Sequence, residues 1–136
     1  MKVRENSIYC NNQNAIGYAG VFATHDELWA TLEKAGKVTG DQFWRMPLSK
    51  VYASQIESKV ADLKNVGGRS AGSCTAALFL KAFVPEKTPF AHIDIAGVMH
   101  TRSDPLLSPG MTGRPTRSIV EFAKKVSAGD LRVQDD

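Results

Sequence analysis

The stretch Cys74-Thr75-Ala76-Ala77-Leu78-Phe79-Leu80-Lys81-Ala82-Phe83-Val84 is apolar on nearly every side. A helix without a polar face belongs between other layers, and Pro85 prevents its continuation. Downstream, Phe90 to Gly97 (FAHIDIAG) alternates as a strand does, with Ile93 and Ile95 on one side and His92 and Asp94 on the other. Upstream, Ile16 to Ala23 (IGYAGVFA) is a glycine-punctuated apolar run with the makings of a buried strand. Helices alternating with buried strands put the chain in the α/β class.

Working outward, Thr24 and Glu27 have capping-box spacing for a helix whose inward face is Leu28, Trp29, Leu32 and Ala35, ending near Gly36. The segment Phe43-Trp44-Arg45-Met46-Pro47-Leu48 is apolar, but Pro47 argues against a central strand. Ser49 is placed to cap a further helix facing inward through Tyr52, Ile56, Val60 and Leu63. A loop is expected over Met99 to Arg114. Pro115 suits the first turn of a last helix with the stripe Ile119, Val120, Phe122, Ala123 and Val126, closed by Gly129. The expected organisation is a poorly structured lead-in over 1–14, one domain over 15–130 and a polar tail over 131–136.

With 136 residues, 43% hydrophobic and 23% charged, the composition is that of one soluble globular domain. The 17 Lys and Arg against 14 Asp and Glu are scattered, without a basic block or interleaved aromatics, so no nucleic-acid partner is expected. The first residues, MKVRENSIYCNNQN, contain no continuous apolar segment; neither a signal peptide nor a membrane span is expected there, and a cytoplasmic location is. Cys10 and Cys74 lack any CxxC or zinc spacing, which fits free thiols in a reducing compartment.

Three features invite a functional reading. The loop Gly67 to Ser73 feeds a helix, as phosphate loops do, but neither GK[ST] nor GxGxxG is present; small residues there also serve close helix packing. His92, Asp94, His100 and Asp104 lie near one another in sequence, yet a catalytic zinc needs three converging ligands, and a hydrogen-bonded His–Asp pair within a sheet is the plainer account. No GxSxG nucleophile elbow occurs, His25 falls in the first turn of a helix, and the apolar surroundings of Cys74 would raise a thiol pKa rather than activate it.

Five segments resemble, in order and spacing, the C-terminal region of the cytosol (leucyl) aminopeptidase family. They are Gly40 to Leu48 (GDQFWRMPL), Ala61 to Gly72 (ADLKNVGGRSAG), Thr75 to Lys81 (TAALFLK), Ala91 to Gly97 (AHIDIAG) and Gly110 to Arg117 (GMTGRPTR). The resemblance covers about residues 15–128, and the combination of Trp44-Arg45-Met46-Pro47-Leu48 with Ser70-Ala71-Gly72-Ser73-Cys74 looks closest to animal leucyl aminopeptidases. It implies part of an α/β/α sandwich with a mixed sheet. It also implies a hydrolase that releases N-terminal residues, leucine favoured, using two divalent metals (zinc, manganese or magnesium) to polarise the carbonyl and generate hydroxide.

In the family the carboxylate cluster, the ligand and catalytic lysines and an arginine lie upstream of the region matched. The family's Asn-Thr-Asp-Ala-Glu-Gly-Arg signature is absent from these 136 residues, and residues 1–14 offer only Glu5 as a carboxylate. The resemblance therefore assigns no catalytic residue and no metal ligand here. It carries over two pocket residues, Ala96 and Met99, which match the wall around the substrate's first side chain; a small residue and an adaptable thioether suit leucine. The expectation is a family member without peptidase activity on its own (a truncated gene, a short isoform or a degenerate paralogue), unless the chain is part of a longer enzyme. Peptide substrate is expected only if the chain is complemented. Family members are commonly hexamers, so the expected partners are further copies or full-length relatives, and the alternative role is a non-catalytic, oligomer-forming subunit.

Overall fold

The computed structural model describes residues 2–4, 7–9, 17–101 and 108–133. Two short strands, β1 (Lys2–Arg4) and β2 (Ser7–Tyr9), pair antiparallel. The body of the fold begins with β3 (Tyr18–Ala23), followed by α1 (Asp26–Thr39) and β4 (Gln42–Arg45). A 3-10 segment (Lys50–Ile56), α2 (Gly72–Lys81) and β5 (Ala91–Asp94) come next. The short strands β6 (His100–Thr101) and β7 (Gly110–Met111) pair antiparallel and precede α3 (Thr116–Ser127).

β3 is the centre of a mixed sheet ordered β4-β3-β5, parallel to β4 and antiparallel to β5. Its successive side chains point to opposite faces, so one strand supplies two cores. On one face Val21 packs with Leu28 and Leu32 of α1, bordered by Ile93, Phe43 and Phe122 of α3. On the other, Phe22 packs with Cys74 and Ala77 of α2, bordered by Met46, Leu48 and Tyr52. Val21 and Phe22 are both wholly buried, worth about 1.5–3 kcal/mol each as area removed from water. The result is the three-layer α/β/α arrangement with a mixed sheet.

β4 is an edge strand of this sheet. Its last ladder-like bond runs from the Met46 amide to the Val21 carbonyl at 2.8 Å, and Pro47 follows immediately, where it removes no ladder donor. Gly40, at φ 79°, closes α1 in the left-handed conformation that glycine adopts without steric cost.

Several local expectations change. Thr24 does not cap α1. Its hydroxyl accepts from the Phe90 amide at 3.0 Å and lies 2.7 Å from His25 Nδ1, so it is used to tie the end of β3 to the entry of β5. α1 runs past Gly36 to Thr39, because Gly36 is a packing position and not a stop. The helix expected after Ser49 is only the 3-10 segment; Ser49 does accept from the Val51 amide, but Val60 is 97% exposed.

α2 is buried on one side only: Cys74 and Ala77 are inside, whereas Phe83, just beyond its end, is 66% exposed. The expected apolar stripe of α3 is likewise half open, with Ile119 and Val120 exposed and Ser118 its fully buried residue. Polar bonds, described below, decide that face. Ile16, at the head of the expected first strand, and Asp104 lie outside the described residues.

A Cβ on Gly36 would stand 2.7 Å from the Asp41 carbonyl oxygen and 2.8 Å from the Phe43 ring. In a free helix Gly→Ala gains about 1 kcal/mol. Here the obstacle includes backbone, so Gly36→Ala is expected to lower stability, read as a lower urea midpoint by circular dichroism; a raised midpoint would contradict the packing.

Candidate functional site

The two residues carried over by resemblance share one turn. Directly after β5, the Asp94 carboxylate accepts from the Ala96 amide at 3.0 Å, and the amides of Val98 and Met99 both donate to the Ile95 carbonyl, at 2.9 and 3.0 Å. Val98 is buried and anchors the turn, leaving Ala96 exposed and Met99 41% exposed. The chain before β3 passes hard against this turn: a Cβ on Gly17 would lie 2.6 Å from the Gly97 carbonyl oxygen, so only glycine permits that approach. From the far side, the Thr112 amide donates to the Met99 carbonyl at 3.0 Å and the Thr112 hydroxyl to the Val98 carbonyl at 2.6 Å.

Among the described residues, clefts lie away from this turn. One of about 510 Å³ is bordered by Tyr18, Glu33, Lys37, Asp41 and Phe43. A more apolar one of about 350 Å³ lies between α1, β5 and α3, along Leu32, Ile93, Ile119, Phe122 and Leu131. Neither has Ala96 or Met99 in its wall.

A buried polar cluster joins the elements behind the turn, and nothing in the sequence patterns singled it out. Arg114 Nε sits 3.2 Å from Asp41 Oδ1 with both side chains buried, an ion pair rather than a well-aligned hydrogen bond. Ser118 donates to Asp41 Oδ2 at 2.6 Å. Having spent its one proton there, it accepts from the Thr39 hydroxyl, also at 2.6 Å. The cluster thereby fixes the start of α3 to the end of α1.

His92 and Asp94 share a sheet face, as expected, but not as a hydrogen-bonded pair. The register sets His92 opposite Phe22, and their rings lie 5.8 Å apart, while the Asp94 carboxylate is taken up by the Ala96 amide. Among the described residues no group of three or more His, Cys, Asp or Glu side chains is arranged to hold a metal ion. The residues described do not fit a two-metal centre, and no step through a metal is derived from them. His100 is exposed on β6, and His25 is engaged with Thr24.

The Gly67 to Ser73 loop packs against its own helix. A Cβ on Gly67 would meet the Thr75 side chain at 2.9 Å, and the Gly68 amide donates to Gln55 Oε1 at 3.1 Å. Burial pushes the Cys74 thiol up, offset by a hydrogen bond with Ser73, which makes it a core residue and a poor nucleophile.

Burial holds the His92 imidazole below its ordinary value, with the charge of Asp94 acting the other way. The folded state therefore prefers the neutral ring. Its contribution to stability is fully present above about pH 6.5, the unfolded value, and is lost as the pH falls through the lower folded value. Urea midpoints are expected to drop as the pH falls below about 6.5, less steeply for His92→Gln; equal slopes in the two chains would refute the assignment.

Residues 11–120 match the model of the cytosol aminopeptidase family, catalytic domain. The cytosol aminopeptidase of Dictyostelium discoideum is 53% identical over 110 residues, which are 79% of this chain and 21% of that protein. Among solved structures, a tomato leucine aminopeptidase mutant superposes with a TM-score of 0.69 at 37% identity, covering 77% of this chain and 20% of that one. The bottromycin maturation enzyme BotP in complex with Mn superposes with a TM-score of 0.76 at 31% identity, covering 81% and 25%. The chain spans about a fifth of the length of the curated relatives it matches. No helix among the described residues is long and apolar enough to cross a membrane. With residues 11–120 matched by the family model and a relative 53% identical over 79% of this chain, the chain belongs to the cytosol aminopeptidase family.

Proposed function

We propose that this chain supplies one wall of the pocket for the first side chain of a peptide, leucine favoured, in a two-metal aminopeptidase domain whose metal ligands and catalytic groups are not among these 136 residues. The observation that carries the reading is the turn Ile95 to Met99. It is bonded at both ends, it packs against Gly17, and it presents a small residue and a thioether to the exterior. A rigid turn with an apolar, adaptable surface suits a branched aliphatic side chain.

The metals of such a domain (zinc, manganese or magnesium) would be held by other residues, where they would polarise the scissile carbonyl and activate water. BotP with its manganese supports divalent-metal use in the family. The Dictyostelium relative's description as a cytosol enzyme supports a cytoplasmic setting. On this reading the purified chain, supplied with manganese and leucine p-nitroanilide, gives no turnover above a protein-free blank; sustained hydrolysis would overturn it. Phenylalanine at the position matching Ala96 in the Dictyostelium enzyme is expected to raise the KM for the leucyl substrate by about tenfold or more. An unchanged KM would remove Ala96 from the pocket.

A second reading, a non-catalytic subunit that joins full-length family members, is favoured by the open apolar faces. Leu80, Phe83, Ile119 and Val120 are exposed on α2, the turn beyond it and α3, an arrangement that matches a surface made to be covered. Mixed with a full-length relative, the chain would then co-elute with it in size-exclusion chromatography; separate elution at micromolar concentration would dismiss this role.

A further inference from the structure

Thr112 stands between two glycines in the left-handed region, Gly110 at φ 133° and Gly113 at φ 68°. The backbone around it therefore follows a path that side-chain-bearing residues rarely adopt. That path brings one residue into three bonds. Its amide donates to the Met99 carbonyl at 3.0 Å, its hydroxyl lies 2.6 Å from the Val98 carbonyl oxygen, and the Arg114 amide lies 3.1 Å from the same hydroxyl. An amide can only donate, so the hydroxyl accepts from Arg114 and its single proton goes to the Val98 carbonyl. Both capacities of the hydroxyl are thus used at once, in one sense only. Val98 is buried, and a carbonyl in such surroundings left without its donor is destabilised, since water cannot replace the lost bond.

Arg114 continues the path inward to Asp41, whose carboxylate accepts from Ser118, and the Ser118 hydroxyl is bonded by Thr39. A connected line of polar contacts runs from the end of α1 to the turn carrying Ala96 and Met99. We infer that Thr112 is a positioning residue for this pocket wall, its hydroxyl coupling the placement of Met99 to the buried Asp41–Arg114 ion pair. The functional meaning of the coupling rests on the pocket reading above; the coupling itself does not.

The discriminating pair is Thr112→Val, which keeps the shape and removes the hydroxyl, and Thr112→Ser, which keeps the hydroxyl. Amide hydrogen exchange and the Met99 methyl resonance are followed by NMR in the full chain. Thr112→Val is expected to speed exchange at Val98 and Met99 by about tenfold or more and to move the Met99 methyl signal, while Thr112→Ser restores both and Val21 in β3 stays protected. Asp41→Asn is expected to speed exchange at Met99 as well. Unchanged Met99 behaviour in Thr112→Val, or in Asp41→Asn, overturns the inference.

Should Thr112→Val unfold the whole chain, exposing Val21 too, native-state exchange of the unaltered chain decides. Opening of the Val98, Met99 and Arg114 amides as one unit supports the coupling, and independent opening of Met99 and Arg114 overturns it. None of these readouts uses peptide hydrolysis, so they stand apart from the test of the pocket reading.

Discussion

A carboxylate and a guanidinium are buried against each other where α1, β4 and the entry to α3 meet, and the rest of the molecule is arranged around keeping them together. Removing such ions from water costs several kcal/mol each, which mutual attraction offsets only when the remaining polar atoms also find partners. Ser118 is that partner for Asp41, and Thr39 in turn bonds the Ser118 hydroxyl. The consequence is directional. α3 docks through the polar residue Ser118 at its start, and that choice leaves Ile119 and Val120 facing outward. An apolar stripe would have tolerated several rotations of the helix; a hydrogen bond to a fixed carboxylate tolerates one.

The sheet distributes the remaining stability. Because β3 is central, Val21 and Phe22, adjacent in sequence, anchor separate cores on opposite faces, one with α1 and α3 and one with α2. β5 then delivers its last residue, Asp94, to the start of the turn that bears Ala96 and Met99. That turn is therefore built on the end of a strand and braced from behind by Thr112, a more rigid foundation than a free loop gives. That the chain spans about a fifth of its relatives' length accords with so small a sheet carrying helices whose outer faces are open.

Much of this was legible in the residues, and the legible part has a common cause. Apolar periodicity marks what is buried, so the strands around Val21 and Ile93, the helix after Ser73 and the α/β class could all be read from it. Pro47 argued against a central strand because a missing amide has only local consequences, and the strand just before it lies at the edge of the sheet. The five segments from Gly40 to Arg117 carried the family likeness in the same local way. Thr24 misled because its hydroxyl suits a helix cap or a strand end equally well, and only the presence of Phe90 beside it decides between them.

What the sequence by itself determined was which residues must leave water, where the chain must turn, and to which family the pattern is similar. Tertiary structure alone decided the pairing of Asp41 with Arg114, the use of Gly36 as a contact rather than a stop, the packing of His92 against Phe22 instead of a bond to Asp94, and the bracing of Met99 by Thr112. Each of those depends on a partner far away along the chain. A polar side chain announces that it needs a hydrogen bond, but not with whom, whereas an apolar one needs only the interior.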